Sequence, residues 1–190
     1  MKKIFFMAIA VMGIVQFTHA QEQNKFRVGL DLGYAIPDGG GGVLIALEPK
    51  YNIADNMSIG IRFEGAAMAK NLSADGISAE AEIGTNSSYS ATFDYYFNNG
   101  NSSFAPFLGA GAGYHSLANS EISDQEASIE FEVDGKFGGL VRAGFEVGKF
   151  RVAATYNLIG KTEFGEGLKS KNSYFGISLG FYVGGGKWKK

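Results

Sequence analysis

One adjacent pair, His115 and Ser116, has the residue types of a general base and a nucleophile. A serine becomes nucleophilic when a histidine lies within hydrogen-bond reach and accepts its proton. The surrounding sequence predicts a β-strand, in which neighbouring side chains point to opposite faces. His115 and Ser116 are therefore predicted to lie on opposite sides of the strand, out of each other's reach. We predict no catalytic residue and no enzymatic activity.

A second candidate for chemistry is an acidic segment between residues 121 and 134, in which no basic residue occurs before Lys136. Its carboxylates are Glu121, Asp124, Glu126, Glu130, Glu132 and Asp134. Carboxylate oxygens suit Ca²⁺ or Mg²⁺, so a divalent-cation site is one interpretation. The spacing of a calcium-binding loop is absent, and we favour a solvated acidic rim. The glycines at 39–42 lack the Lys-Ser/Thr pair of a phosphate-binding loop, so neither a metal site nor a cofactor is predicted.

A third set of residues consists of charged side chains that share one face of the predicted strands. Basic and acidic members are equal in number: Arg27, Asp31, Glu48, Lys50, Arg62, Glu64, Asp94, Arg142, Glu146 and Arg151. Opposite charges on neighbouring strands predict a network of ion pairs rather than a ring of one sign that selects ions. A charged lining for a conducting channel is the alternative interpretation.

The elements that must position these residues are β-strands, because apolar residues alternate with small or polar ones along most of the chain. The segment from Asn172 to Val183 shows the pattern most clearly. One face is apolar throughout, whereas the other holds glycine, serine and tyrosine. Period-two alternation is typical of a strand whose two faces meet different surroundings. The same pattern predicts eight antiparallel strands, at about 26–36, 43–53, 57–70, 77–97, 104–115, 129–147, 150–158 and 172–183.

Glycine, proline, asparagine and aspartate mark the predicted turns between these strands. The turns fall at residues 37–42, 54–56, 73–76, 98–101, 148–149 and 165–167. Asp134-Gly135 has the residues of a hairpin turn. The apolar parity nevertheless continues across it, from Val133 to Phe137 and Val141. We therefore predict one long sixth strand with a bulge at Gly135.

The composition agrees with a single all-β domain. A chain of 190 residues has the length of one domain, and its mean hydropathy is −0.02 although 45% of its residues are hydrophobic. Apolar residues are thus interleaved with polar ones. The chain has no cysteine and therefore no disulfide framework. With 17 basic and 19 acidic side chains, it lacks the positive surface that nucleic-acid binding requires.

The N-terminal residues 1–20 have the features of a secretory signal peptide. Lys2 and Lys3 form a basic start, Ile4–Val15 is apolar, and Thr18-His19-Ala20 offers small residues at a cleavage site. The apolar run is shorter than the roughly 20 residues of a spanning helix. We expect residues 1–20 to be a cleaved signal peptide and residues 21–190 to form one domain, in which the eight strands close into a β-barrel.

The apolar face of the predicted strands is expected to point outward. It carries more large rings than the interior of an eight-stranded barrel could hold. The opposite face is rich in glycine, which suits a crowded interior. Apolar residues outside and polar residues inside are typical of a transmembrane β-barrel with aromatic girdles. The expected girdles are Tyr51, Tyr95, Phe97, Phe104 and Phe150 at one rim, and Tyr34, Tyr89, Tyr114 and Tyr156 at the other.

The segment Pro106–Tyr114, in which glycine alternates with apolar residues, resembles the fifth strand of a known family. These are the small eight-stranded outer-membrane β-barrels of diderm bacteria, related to the OmpA transmembrane domain, OmpW and OmpX. The resemblance covers nearly all of the chain after the leader. Such barrels usually end on an aromatic residue that the insertion machinery recognises, whereas here residues 184–190 follow Val183. Phe181 is the internal candidate for that role.

The resemblance implies a monomer in the cell outer membrane, with both chain ends in the periplasm. Its implied partners are outer-membrane lipids and lipopolysaccharide and, during assembly, the barrel-insertion machinery and periplasmic chaperones. We predict a structural or surface-interaction role without catalysis. A porin-like narrow channel for small solutes is the alternative, and a lipid-modifying outer-membrane enzyme is a remote one.

Overall fold

The computed structural model describes residues 23–74, 77–98, 102–120, 132–160, 162–164, 168–170, 172–185 and 188. The predicted signal peptide lies outside the described residues. No helix in the described part of the chain is both long and apolar enough to cross a membrane. The strands are β1 (Phe26–Pro37), β2 (Gly40–Ala54), β3 (Met57–Ala74), β4 (Ile77–Tyr96), β5 (Phe104–Ser120), β6 (Glu132–Val147), β7 (Phe150–Ile159), β8 (Thr162–Phe164), β9 (Leu168–Ser170) and β10 (Tyr174–Gly184).

Eight of these strands form a closed antiparallel barrel in the order β1-β10-β7-β6-β5-β4-β3-β2. Closure pairs β1 with β10, so the first and last barrel strands leave no free sheet edge along their common length. The eighth predicted strand corresponds to β10. The predicted fold class, an all-β eight-stranded antiparallel barrel, is confirmed.

The two ends of the barrel differ. At the terminal end, β1 begins, β10 ends, and short turns at residues 55–56 and 148–149 join β2 to β3 and β6 to β7. At the loop end, β3 to β6 extend beyond their neighbours, with 16 to 20 residues each against 10 in β7. The prediction of a long sixth strand that continues through Asp134 and Gly135 is confirmed.

The alternation of the sequence translates directly into the two faces of the wall. On β10, Leu179 is 66% exposed, whereas its neighbours Ser178 and Gly180 are buried. On β1, Leu30 is exposed and Asp31 is buried. The predicted facing, apolar outward and polar inward, is confirmed for the described strands.

The predicted bulge at Gly135 is wrong. The β5–β6 ladder is regular from the Phe104–Val147 pair to the Asn119–Glu132 pair, with Gly135 opposite Ser116. A Cβ at position 135 would overlap the hydroxyl of Tyr114, so glycine lets that ring lie over the strand. The irregularities in register instead lie between Asn52 and Ala54 of β2 and between Asn71 and Leu72 of β3.

The predicted turn at residues 37–42 is also too long. β1 runs to Pro37 and β2 begins at Gly40, which leaves Asp38 and Gly39 as the connection. Gly39 has φ 77°, a conformation that glycine adopts without steric cost. The following glycines belong to β2. A Cβ at Gly42 would overlap the carbonyl oxygen of Ala67 on β3, so this position in the strand requires glycine. Their role is close strand packing rather than turning.

The connection from β7 to β10 contains an element that the sequence pattern did not reveal. β8 and β9 pair with each other through the register Thr162–Ser170, Glu163–Lys169 and Phe164–Leu168. The predicted turn at residues 165–167 falls between them, outside the described residues. The ranges 99–101 and 75–76, within two other predicted turns, are likewise not described.

Candidate functional site: the lumen of the barrel

The structure places all of the predicted charged residues inside the barrel, each with at most 5% of its surface exposed. They project from β1, β2, β3, β4, β6 and β7. Three successive inward positions in the middle of β5 are glycine, at residues 109, 111 and 113, and these make room. A Cβ at Gly109 would overlap Asp94 Oδ1, and one at Gly111 would lie 3.2 Å from the Leu140 side chain. The glycine-rich strand therefore forms the side of the lumen against which longer side chains pack.

Arg142 is the centre of the charged network. Its Nη2 and Nη1 donate to Glu48 Oε1 and Oε2 over 2.7 and 3.1 Å, and its Nε and Nη2 donate to Asp94 Oδ1 and Oδ2 over 2.7 and 3.0 Å. Thr92 Oγ1 donates a further bond of 2.7 Å to Glu48. A guanidinium is suited to this arrangement because its donors lie in one planar fork. One cation thus bridges two carboxylates that come from different strands.

Two further cations complete the surroundings of Asp94. Lys50 Nζ donates to Asp94 Oδ2, and Arg151 Nη2 lies 3.7 Å from the same oxygen. Arg151 also donates to the Tyr182 hydroxyl and lies with its guanidinium carbon 4.1 Å from the centroid of the Phe107 ring. A cation over an aromatic face is stabilised by the ring quadrupole. Aromatic contacts therefore supplement carboxylates as partners of buried charge.

A second group surrounds Arg62, nearer the loop end. Arg62 Nη1 donates to Asp31 Oδ2 over 2.5 Å, and its Nε donates to Glu64 Oε2 over 2.8 Å. The other oxygen of Glu64 accepts from the Tyr174 hydroxyl at 2.5 Å and from Asn157 Nδ2 at 3.2 Å. Neutral donors thereby satisfy the carboxylate atoms that Arg62 does not reach.

A third group surrounds Glu146 at the terminal end. Arg27 donates to both of its oxygens, over 2.8 and 3.3 Å, and the Tyr96 hydroxyl donates to Oε1 over 2.8 Å. Trp188 Nε1 donates to Oε2 over 2.9 Å. Sequence parity could have found Tyr96, since it adjoins the outward Tyr95. No pattern in the sequence pointed to Trp188, which lies beyond the last strand.

Apolar residues close the lumen on both sides of the charges. The terminal cluster consists of Tyr96, Ala105, Phe107, Ala153 and Trp188. The loop-end cluster consists of Ala35, Leu44, Ala66, Met68, Leu117, Ile159 and Tyr174. All of these side chains are at most 8% exposed. The charged groups around Arg142 and Arg62 therefore lie between two apolar clusters, and the group around Glu146 is in direct contact with the terminal cluster.

The pair considered for catalysis is separated by the strand, as the parity requires. His115 has no exposed surface and lies with Nδ1 3.4 Å from Asn86 Nδ2, whereas Ser116 is on the opposite, partly exposed side of β5. Among the described residues, His115 Nε2 has no hydrogen-bond partner. No group of three or more potential metal ligands is present in the described part of the chain. The acidic segment 121–131 is not described.

Comparison with known proteins identifies the fold. No protein-family model matches the chain, and no curated protein matches it. Among solved structures, the outer membrane protein OprG from Pseudomonas aeruginosa is 12% identical, with a TM-score of 0.56 over 86% of this chain and 98% of OprG. Neisserial surface protein A is 18% identical, with a TM-score of 0.52 over 84% of this chain and 95% of that protein.

These similarities define the class of fold. The chain has the closed eight-stranded antiparallel fold of small outer-membrane β-barrels, as the sequence resemblance predicted. At this level of identity, the shared feature is the barrel itself.

Proposed function

We propose that this protein is a monomeric outer-membrane β-barrel of a diderm bacterium with a structural or surface-interaction role. In this proposal it is exported by its signal peptide, both chain ends face the periplasm, and it has no catalytic activity. The lumen is a packed plug that does not conduct solutes freely. The observation that carries the last point is the packing of the lumen, which is filled by paired charges of balanced number and by two apolar clusters.

The outer surface supports residence in a membrane. Large apolar side chains such as Leu32, Val43 and Phe63 are about half exposed or more, on a face that holds few polar groups. In water such a surface would be an aggregation hazard, whereas hydrocarbon is its matching solvent. The closed ladder also satisfies the backbone hydrogen bonds that hydrocarbon leaves without water.

Aromatic residues at both rims support the same location. At the terminal end, Phe150 and Phe181 lie with ring centroids 5.4 Å apart. Toward the loop end, the Tyr89 and Tyr114 rings are 5.7 Å apart. Two aromatic bands at the edges of an apolar surface are typical of the interfaces of a membrane barrel. Outer-membrane lipids and lipopolysaccharide are the partners that this surface fits.

The ion-pair network supports a plug over a channel. Arg62 Nη1 lies 3.5 Å from Glu48 Oε2, which links the group around Arg62 to the group around Arg142. A continuous network holds long side chains across the lumen, and releasing any one of them leaves a buried charge without its partner. A channel that conducts needs mobile ions and weaker, repeated sites.

The location is tested by fractionating cells and by running unboiled and boiled samples on a denaturing gel. We expect the protein in the detergent-insoluble outer envelope, with different migration of the two samples because the closed barrel resists unfolding. Recovery in the soluble periplasmic fraction would contradict the membrane proposal.

The plug is tested by planar-bilayer recording of the refolded mature chain. Rare and small openings are expected for the native protein. The Arg62→Ser/Arg142→Ser variant should open more often or more widely, because two side chains that cross the lumen are shortened. Lys25→Ser is the matched control, since Lys25 lies outside this network, and it should behave like the native protein. Steady, large conductance by the native protein would favour the narrow-channel alternative.

A further inference from the structure

After β10 the chain leaves the barrel wall through a glycine turn that is held by hydrogen bonds. Gly184 has φ 80° and Gly185 has φ 63°, and both values favour glycine. The Gly185 N–H donates to the Phe26 carbonyl over 2.8 Å. Lys149 Nζ donates to the carbonyls of Gly184 and Gly185 over 2.5 and 3.2 Å. These bonds join the turn to β1 and to the β6–β7 connection, and thus fix where the chain departs from the wall.

The turn is followed by an indole ring inside the barrel. Trp188 is only 7% exposed, and its ring centroid lies 4.9 Å from that of Tyr96. It belongs to the same apolar cluster as Ala105 and Phe107. Burial of a ring this large removes much apolar surface from water, and the indole N–H then needs an acceptor. Glu146 Oε2 provides that acceptor at 2.9 Å.

The bond from Trp188 fills the last free hydrogen-bonding position of the Glu146 carboxylate. Each oxygen of Glu146 receives two donors: Oε1 from Arg27 and Tyr96, and Oε2 from Arg27 and Trp188. A carboxylate offers about four lone-pair directions, so all of them are used. The position thus selects a flat aromatic group that carries one N–H donor at its edge.

We propose that the Trp188 side chain closes the terminal end of the barrel from within, and that it occupies an indole-selective site formed by Tyr96, Phe107 and Glu146. The closure lies at the mouth of the terminal end and adjoins the ion-pair plug through Glu146, which belongs to both. It goes beyond the proposed function and does not depend on the result of the conductance test.

The absence of native cysteine allows a direct test of this closure. The Ala105→Cys variant places a thiol in the terminal cluster, and Ala35→Cys places one in the loop-end cluster; both alanines have no exposed surface. Each is treated with a charged, water-soluble thiol reagent, in the native background and with Trp188→Ala. Folding is verified by gel migration of unboiled samples.

Removal of the indole should expose the thiol at position 105 but not the thiol at position 35. We expect labelling of Ala105→Cys to become at least about tenfold faster with Trp188→Ala, which corresponds to about 1.4 kcal/mol in the free energy of exposing the site. Labelling of Ala35→Cys should stay slow in both backgrounds. Equal labelling of Ala105→Cys with and without Trp188 would overturn the proposal.

Two measurements address the site independently of that variant. Because Trp188 is the single tryptophan of the chain, its fluorescence in the native protein reports directly on this position. We expect blue-shifted emission and protection from iodide, and emission like that of tryptophan in water would overturn the proposal. In the Ala105→Cys/Trp188→Ala variant, added 3-methylindole should slow labelling again, whereas 1,3-dimethylindole, which has no N–H, should do so less. Equal effects of the two compounds would contradict the selectivity for an N–H donor.

Discussion

The two faces of the barrel wall are built by the same strands, yet they follow opposite rules. On the outside, the apolar side chains of Leu30 and Leu179 are exposed. On the inside, Asp31 and Arg142 are almost fully buried; Asp31 accepts from Arg62, and Arg142 donates to both Asp94 and Glu48. Neighbours such as Leu30 and Asp31 share the same strand and differ in the face of the wall to which their side chains point. The comparison teaches that the surroundings of each face, rather than local strand preference, decide which residues the wall accepts.

The inner face should be the more sensitive one to loss of a charge. Arg142→Met keeps most of the side-chain volume but leaves Glu48 and Asp94 without their bridging cation. Removing one partner of a buried ion pair typically costs about 3–5 kcal/mol, because an uncompensated charge stays buried. We expect a loss of this size in the free energy of unfolding, measured by urea titration in lipid vesicles.

A double variant sharpens this prediction. Arg142→Met with Asp94→Asn removes one carboxylate charge together with the cation, so that Lys50 and Arg151, which lie 3.8 and 3.6 Å from Glu48 Oε2, can compensate Glu48. This double variant should therefore recover part of the lost stability. If Arg142→Met is as stable as the native protein, the inner face does not depend on its ion pairs. The proposed difference between the two faces would then be contradicted.

The outer face should be sensitive to a charge that is added. Leu30→Arg places a cation on the lipid side and should cost about 2–4 kcal/mol if the position is at the bilayer midplane. Phe150→Arg is the matched control at the aromatic rim of the terminal end. The cost near the interface falls to about 0–1 kcal/mol, since the guanidinium reaches water. Equal costs at the two positions in vesicle folding experiments would show that the outer face does not meet hydrocarbon as proposed.

The smallest expected effect concerns added volume. A Cβ at Gly180 would overlap Asp31 Oδ1, and Asp31 is held in place by Arg62. Gly180→Ala should therefore cost about 1–3 kcal/mol, the usual range for overpacking. Gly65→Ala is the control, because the nearest atom to its Cβ would be an Ile45 methyl carbon at 3.8 Å. There, alanine should be neutral or stabilise by up to about 1 kcal/mol, as glycine weakens a strand interior. If Gly180→Ala is as stable as the native protein, the lumen is less tightly packed than the structure indicates.

The alternation of residue types was sufficient to predict the strands and the face to which each side chain points. A period of two is a local property, so the outward Leu179 and inward Ser178 follow from adjacent positions alone. The same parity predicted that the sixth strand continues through Asp134 and Gly135, and β6 confirms it. Local pattern was insufficient at the glycines. The pattern predicts a turn at Gly41 and Gly42 and a bulge at Gly135, whereas all three are strand residues at which a Cβ would overlap Tyr34, Ala67 or Tyr114.

The partners across the lumen were decided only by the tertiary structure. Parity placed Arg27 and Glu146 on the same face, but they are 119 residues apart, and their contact depends on the register of every strand between them. The two apolar clusters and the position of Trp188 depend on the same closure. Strand alternation acts between neighbours in the chain, whereas a closed barrel brings together residues whose distance is set by the summed stagger of its ladders. That sum is a property of the whole sheet, and no local segment of the sequence contains it.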